Sequence, residues 1–316
     1  MLTIHADNTR LALPLGALVQ TLRQQFRQGC EVPQRHLHEL PQPGGGKLTS
    51  LIMPAWQPGR YYGIKIVNMA PSNAAQGLPG LHAAYLLFDA RTGVPLAQMA
   101  GEEITTRRTV AASALAASFL ARPNARHLLV VGAGAVARLL PEAYRCVRPI
   151  DRITVWARRA SEAEALAQHW RAQGLAATAT THLAAACAEA DVVSCATLAH
   201  EPLVQGDWLA PGSHLDLIGS FTPHMREADD ACFQGARVFV DTEEALQKSG
   251  DLLGPIERGV LRLDEVRGTL TTLCKGVATG RKTPGERTVF KSVGTALEDL
   301  AAAVQVYESL QAPTPP

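Results

Sequence analysis

Four apolar residues, Leu128-Leu-Val-Val131, run directly into Gly132-Ala-Gly134-Ala-Val-Ala137. Small residues at this spacing suit a turn that holds a pyrophosphate. Gly132 permits the tight turn, Gly134 lets the phosphates approach the backbone, and Ala137 lets the following helix lie close to the strand. The helix start at Ala135 and Val136 offers N–H groups and the positive end of a dipole to the anion. A plain glycine-rich strand–helix turn is the bland alternative. The strand pattern before the turn and the helix pattern after it favour the dinucleotide reading.

The end of the next strand pattern selects the cofactor. An Asp or Glu there would bind the ribose hydroxyls of NAD. This chain reads Val155-Trp-Ala-Arg158-Arg159-Ala-Ser161, with no acid. Arg158 and Arg159 suit a 2′-phosphate, because guanidinium pairs bidentately with phosphate oxygens, and Ser161 can add a hydroxyl donor. NADP(H) is therefore the expected cofactor, with NAD(H) left possible; the alternative is a solvated basic loop at a helix start.

The elements that must hold these residues alternate through the middle of the chain. Strand patterns at His127–Val131, Ile153–Trp156, Asp191–Cys195, His214–Ile218 and Val238–Val240 are interleaved with helix patterns at 135–146 and 161–173. Such alternation predicts an α/β fold with a parallel sheet covered on both faces. The first third reads as strands and turns, including Tyr61–Val67, Tyr85–Phe88, the turn Asp89-Ala-Arg-Thr-Gly93 and Val94–Met99, with a loop at Gly44-Gly45-Gly46. Ala111–Leu120 reads as helix. Val289, Val293, Leu297, Leu300, Val304 and Tyr307 fall at helical spacing, and the tail Ala312–Pro316 is expected to fray.

Composition narrows the class. Of 316 residues, 47% are hydrophobic and 19% charged, which suffices for a full core. The formal net charge of +1 calls for neither nucleic acid nor an anionic membrane as partner. No apolar run is long enough to span a bilayer, and Met1–Arg10 lacks the pattern of a secretory signal. Cys30, Cys146, Cys187, Cys195, Cys232 and Cys274 form no C-x-x-C pair, so thiols in a cytoplasmic setting are expected.

Several segments together resemble the ornithine cyclodeaminase/μ-crystallin family. They are Gly63-Ile-Lys65-Ile-Val-Asn68, Gly77-Leu-Pro79, Leu87-Phe-Asp89-Ala-Arg-Thr-Gly93, Thr105-Thr-Arg-Arg108-Thr109-Val-Ala-Ala-Ser113, Val131-Gly-Ala-Gly134 and Phe290-Lys-Ser292-Val-Gly294. The resemblance runs in order from Arg35 to Tyr307. It implies a Rossmann doubly wound parallel sheet (122–287) inserted in a second α+β domain (1–121 plus 288–316) for substrate binding and dimerisation. It also implies a homodimer and a small imino-acid or amino-acid substrate.

Residue by residue, the resemblance makes Lys65 the substrate-site and catalytic lysine. Arg108 would serve both substrate carboxylate and nicotinamide, and Arg35 would be a second carboxylate-binding arginine. Thr197, the stretch Gly219, Ser220 and Phe221, and Ser292 on a C-terminal helix would touch the cofactor. The chemistry is consistent: arginines can clamp a carboxylate beside a C=N bond, and a desolvated lysine can protonate the nitrogen. Without the resemblance, Lys65 would read as a solvent-facing strand lysine and Arg107-Arg108 as a surface helix start.

Two departures point within the family. Phe221 and Leu51 stand where cyclodeaminases carry an aspartate and a glutamate, so the groups that move protons on the substrate amine are missing. Reduction of cyclic α-imino acids, Δ1-pyrroline-2-carboxylate and Δ1-piperideine-2-carboxylate, is the expected activity. Ornithine cyclodeaminase, alanine dehydrogenase and a non-catalytic ligand-binding protein are the alternatives. His36 and His38 alternate on a polar strand without a third metal ligand, and no metal is expected. His224 reads as a loop residue that could approach substrate, Glu102-Glu103 as acids that could orient Arg107 or Arg108, and Cys195 as core.

Overall fold

The computed structural model describes residues 1–42 and 45–311. Gly44 of the expected glycine loop and the tail Ala312–Pro316 lie outside the described residues. The chain divides into two compact units, Met1–Arg108 with Thr295–Pro316, and Thr109–Gly294.

The first unit opens with β1 (Leu2–Ile4), α1 (Ala6–Leu11) and α2 (Leu15–Gln28). Five strands follow: β2 (His36–Pro41), β3 (Lys47–Trp56), β4 (Tyr61–Met69), β5 (Leu81–Asp89) and β6 (Pro95–Ala100). The sheet order is β1-β6-β5-β4-β3-β2; β2 to β6 are antiparallel and β1 is parallel to β6. The turn after β5 forms as expected, with Asp89 Oδ1 accepting from the N–H groups of Arg91 and Thr92 and Gly93 at φ 75°. Helix α2 departs from the expectation of strands throughout the first third. Leu15, Leu18, Val19, Leu22 and Phe26 recur at helical spacing and all are buried.

Side chains alternate across the sheet. Leu51, Met53, Ala55, Lys65, Val67, Tyr85 and Leu87 are buried on one face. Ile52, Ile64, Ile66 and Leu86, on the other, are only half-buried.

Helix α3 (Gly101–Leu120) leads toward the second unit. There β7 (His127–Val131), α4 (Ala135–Arg145), β8 (Arg152–Trp156), α5 (Ala160–Ala172), β9 (Ala177–Ala179), α6 (Leu183–Glu189) and β10 (Val192–Cys195) alternate. Then come β11 (His214–Leu217), β12 (Arg237–Val240), α7 (Ala245–Lys248), α8 (Gly250–Glu257), β13 (Val266–Thr269), α9 (Leu270–Cys274) and β14 (Thr288–Lys291). All pairings are parallel, in the order β13-β12-β14-β11-β10-β7-β8-β9. Strands β7, β10, β11 and β14 are buried at every residue, as a doubly wound sheet covered on both faces requires. Strand order reverses between β7 and β10, the switch point of such folds.

The final helix, α10 (Ala296–Gln311), belongs to the first unit and packs on α2, β3, β4 and β5. It starts later than the expected helical stripe. Val289 lies in β14, hydrogen-bonded to strands on both sides, and Val293 precedes the helix. A short apolar run reads equally as strand or helix, and Gly294, at φ 76°, redirects the chain before α10.

Both expected domain boundaries move for related reasons. Strand β14 completes the parallel sheet, so 288–294 belongs to the second unit. The later half of α3 does too: Ser113 Oγ and Tyr144 OH both donate to the buried Asp216 of β11, and Arg148 donates to the carbonyls of Ala117, Ser118 and Ala121.

Candidate functional site

In the first unit the strand pattern puts Lys65 on the buried face of β4, with Met53 and Tyr85 as its neighbours across β3 and β5. A buried ammonium needs counter-charges, and α10 provides them. Lys65 Nζ lies 2.7 Å from both carboxylate oxygens of Asp299. Arg108 Nη1 donates to Glu298 Oε2 at 2.6 Å, and its Nε lies 3.0 Å from Asp299 Oδ1. Two cations and two carboxylates thus form one buried, charge-balanced cluster.

Burial lowers the Lys65 pKa to about 8; Asp299 opposes the shift and Arg108 adds to it. The lysine can therefore hold or release a proton near neutral pH. Burial, then Asp299, also raises the Tyr85 hydroxyl well above the usual phenol range. Gly63 makes room for that ring, since a Cβ there would stand 2.0 Å from the Tyr85 hydroxyl oxygen.

The sequence reading missed Glu298 and Asp299. Acids in a first helical turn are common because they complement the dipole, so they read as surface residues. The available signal was their place between Leu297 and Leu300, in a stretch buried all round.

Arg35 stands half-buried just before β2, two strands from Lys65 in the sheet order. Of the expected acid–arginine pairings, Glu103 approaches Arg107 at 3.9 Å, while Arg108 turns to Glu298 and Asp299. His36 and His38 are exposed on β2 with stacked rings. Among the described residues no group of three or more His, Cys, Asp or Glu could hold a metal ion.

In the second unit, the glycine turn has the geometry the spacing predicts. Gly132 has φ 117°, and a Cβ there would lie 2.5 Å from the Ala196 carbonyl oxygen. The loops after β7 and β10 therefore meet at the switch point. Gly134 caps α4, and nothing stands within 4 Å of where its Cβ would be. Ala135 is exposed, Val136 half-buried and Ala137 buried against the sheet. This open helix start suits an anion. Arg158, Arg159 and Ser161 are exposed at the end of β8 and the start of α5, and Arg159 pairs with Glu162. An exposed pair of this kind contributes little, so a ligand phosphate can displace it.

Two of the hydroxyls expected near the cofactor are engaged within the protein. Ser220 is wholly buried; its Oγ donates to Asp251 and accepts from Lys291 Nζ at 2.7 Å. Ser292 precedes α10 and donates to Asp241, which also accepts from the N–H groups of Val293 and Gly294. Both hydroxyls point into the protein because buried carboxylates require donors. Phe221 packs half-buried on the apolar core. Thr197 and Gly219 bond to Glu227, a third residue the sequence reading missed. Burial pushes Glu227 up and Lys291 pulls it back. His224 is exposed. Cys195 is core, its thiol held well above the usual range by burial.

Comparison with known proteins places this geometry in context. Residues 7–313 match the model of a family described as ornithine cyclodeaminase/mu-crystallin. The chain is 42% identical over 282 residues to the Delta(1)-pyrroline-2-carboxylate reductase of Paracoccus denitrificans, with 88% of each chain covered. The structure of Thermococcus litoralis Delta(1)-pyrroline-2-carboxylate reductase in complex with NADH and L-proline is similar to it at TM-score 0.93 and 30% identity, over 98% of both chains. An archaeal alanine dehydrogenase dimer with bound NAD is similar at TM-score 0.91 and 28% identity, over 99% of this chain and 98% of that one.

Proposed function

Because this chain belongs to the ornithine cyclodeaminase/mu-crystallin family, we propose that it is a nicotinamide-dependent oxidoreductase reducing the C=N bond of cyclic α-imino acids. Δ1-Pyrroline-2-carboxylate would give proline, and Δ1-piperideine-2-carboxylate would give pipecolate. The observation that carries the reading is the buried Lys65, its pKa lowered to about 8, in one cluster with Arg108. Protonating an imine nitrogen beside a carboxylate makes use of both cations.

The glycine turn and open start of α4 fit a dinucleotide, which when bound supplies the hydride for the imine carbon. Gly132, Gly134, Ala135 and Val136 would hold its pyrophosphate. Thr197, Gly219, Ser220, Phe221 and Ser292 shape the rim through backbone and packing. Arg108 and Arg35 would hold the substrate carboxylate. Lys65 Nζ gives its proton to the ring nitrogen as the carbon is reduced and regains one from solvent.

Leu51, buried on the Lys65 face of the sheet, and Phe221, packed on apolar core, cannot move the protons that deamination requires. The experiment supplies ornithine with NAD+, and separately Δ1-pyrroline-2-carboxylate with NADPH. NADPH consumption in the second and no ammonia in the first are expected. Proline and ammonia from the first, with an inert second, would restore the cyclodeaminase.

We further propose NADP(H) as the preferred cofactor, read by Arg158 and Arg159. Replacing both by Ser should raise the NADPH KM about tenfold or more, because hydrogen bonds to charged groups are lost, and change the NADH KM little. Equal shifts for the two cofactors would remove the phosphate-reading role. A homodimer is supported by the half-buried Ile52, Ile64, Ile66 and Leu86 on one sheet face, which suits burial against a second copy. Light scattering should give twice the chain mass, and a monomer at all concentrations would contradict it. The buried thiols Cys187, Cys195 and Cys232 suit the reducing cytoplasm.

A further inference from the structure

Reading the second unit as dinucleotide-binding leaves a buried charge cluster beneath its rim without a role. Glu227 is wholly buried, yet four donors converge on it. The Thr197 N–H and hydroxyl both donate to Oε1 at 2.8 Å. The N–H groups of Gly219 and Ser220 donate to Oε2 at 2.8 and 3.1 Å. A carboxylate accepts at about four lone-pair sites, so this one is saturated, and every donor favours its ionised form.

The first two donors sit on the loop leaving β10, the other two on the loop leaving β11. One side chain therefore staples two loops that share no strand pairing at these residues. The staple is itself braced. Asp251 Oδ1 accepts from the N–H groups of Glu227 and Ala228 at 2.8 and 3.1 Å. Lys291 Nζ lies 3.2 Å from Asp251 and 3.9 Å from Glu227. The fit is tight, since a Cβ on Gly219 would lie 1.9 Å from the Thr197 carbonyl oxygen and 2.5 Å from Glu227 Oε1.

Its position gives the staple a task. The glycine turn after β7 takes the pyrophosphate, and the end of β8 takes the adenosine side. The second nucleoside must then lie over the other half of the sheet, where β10 and β11 end. We propose that Glu227 is a positioning residue for the nicotinamide half of the cofactor. It fixes Thr197 and Gly219–Ser220 at the separation that half requires, without touching the ligand. The proposal rests on the dinucleotide reading of this unit.

The test compares NADH with ADP-ribose, which lacks the nicotinamide, on the full-length chain. In Glu227→Gln an amide NH2 replaces one acceptor and faces donors. NADH affinity should fall about tenfold or more while ADP-ribose affinity stays within about twofold. Thr197→Val removes the hydroxyl that donates to Glu227 at 2.8 Å and accepts from the Ala199 N–H at the longer 3.4 Å, leaves the Thr197 N–H in place, and should give a smaller loss of the same kind. Should Glu227→Gln fail to fold, Thr197→Val decides alone. A folded variant that binds NADH as tightly as the parent, or loses ADP-ribose in equal proportion, overturns the proposal. A parent protein that binds neither nucleotide overturns the dinucleotide reading as well, an outcome distinct from the other two.

Discussion

Replacing Lys65 by Met is expected to lower turnover of Δ1-pyrroline-2-carboxylate by about 10²–10⁴, the range typical of a general acid, while leaving dinucleotide binding unchanged. Met keeps most of the buried volume, but it leaves Glu298 and Asp299 sharing Arg108 alone, so the variant should also lose stability and its turnover is read on the folded fraction. Lys65 must be protonated to donate, and its pKa is lowered to about 8. The kcat/KM of the parent protein should therefore fall as pH rises through about 8, and Lys65→Met should lose that descending limb. Full activity in the variant would remove Lys65 from the chemistry. Unfolding of the variant would make its role structural.

Asp299→Asn should act more on the fold than on substrate. Asp299 faces two cations, Lys65 Nζ at 2.7 Å and Arg108 Nε at 3.0 Å, with no exposure to water. Removing its charge leaves both cations with only Glu298, and breaking a buried pair from one side typically costs about 3–5 kcal/mol. The denaturation midpoint should drop accordingly. The variant that remains folded should also show its descending limb at lower pH, because Asp299 is what holds the Lys65 pKa up against burial. Wild-type stability together with an unmoved pH profile would dismiss the cluster as a coupled unit.

What the sequence made legible follows the range of the interactions. The turn at Gly132 and Gly134 and the Asx turn at Asp89 are local, so spacing alone foretold them. The parallel sheet was equally visible because strands buried on both faces carry nearly continuous apolar runs. The helix α2 stripe from Leu15 to Phe26 was as regular as any and was simply passed over. The partners of Lys65 were a different matter, because they sit 234 residues further along the chain, beyond any periodicity. Thr288–Lys291 was misread for the opposite reason. A four-residue stretch with two apolar residues, Val289 and Phe290, does not distinguish strand from helix, and only pairing with β11 and β12 decides it. For Ser220 and Ser292, which way the hydroxyl turns depends on the buried acids Asp251 and Asp241, which spacing cannot locate.

The central place of β14 also bears on how the chain is made. Strands β12 and β13 join the rest of the parallel sheet only through β14, which emerges from the ribosome after both. Until Thr288–Lys291 arrives, β11 presents an unpaired edge, the kind of surface that invites association with other chains. The first unit waits still longer, since Lys65 and Arg108 lack their counter-charges until Glu298 and Asp299 are synthesised. Both units are thus completed only once residues 288–299 are made. Ribosome-stalled or C-terminally truncated chains should accumulate as aggregates or chaperone clients rather than as separately folded halves.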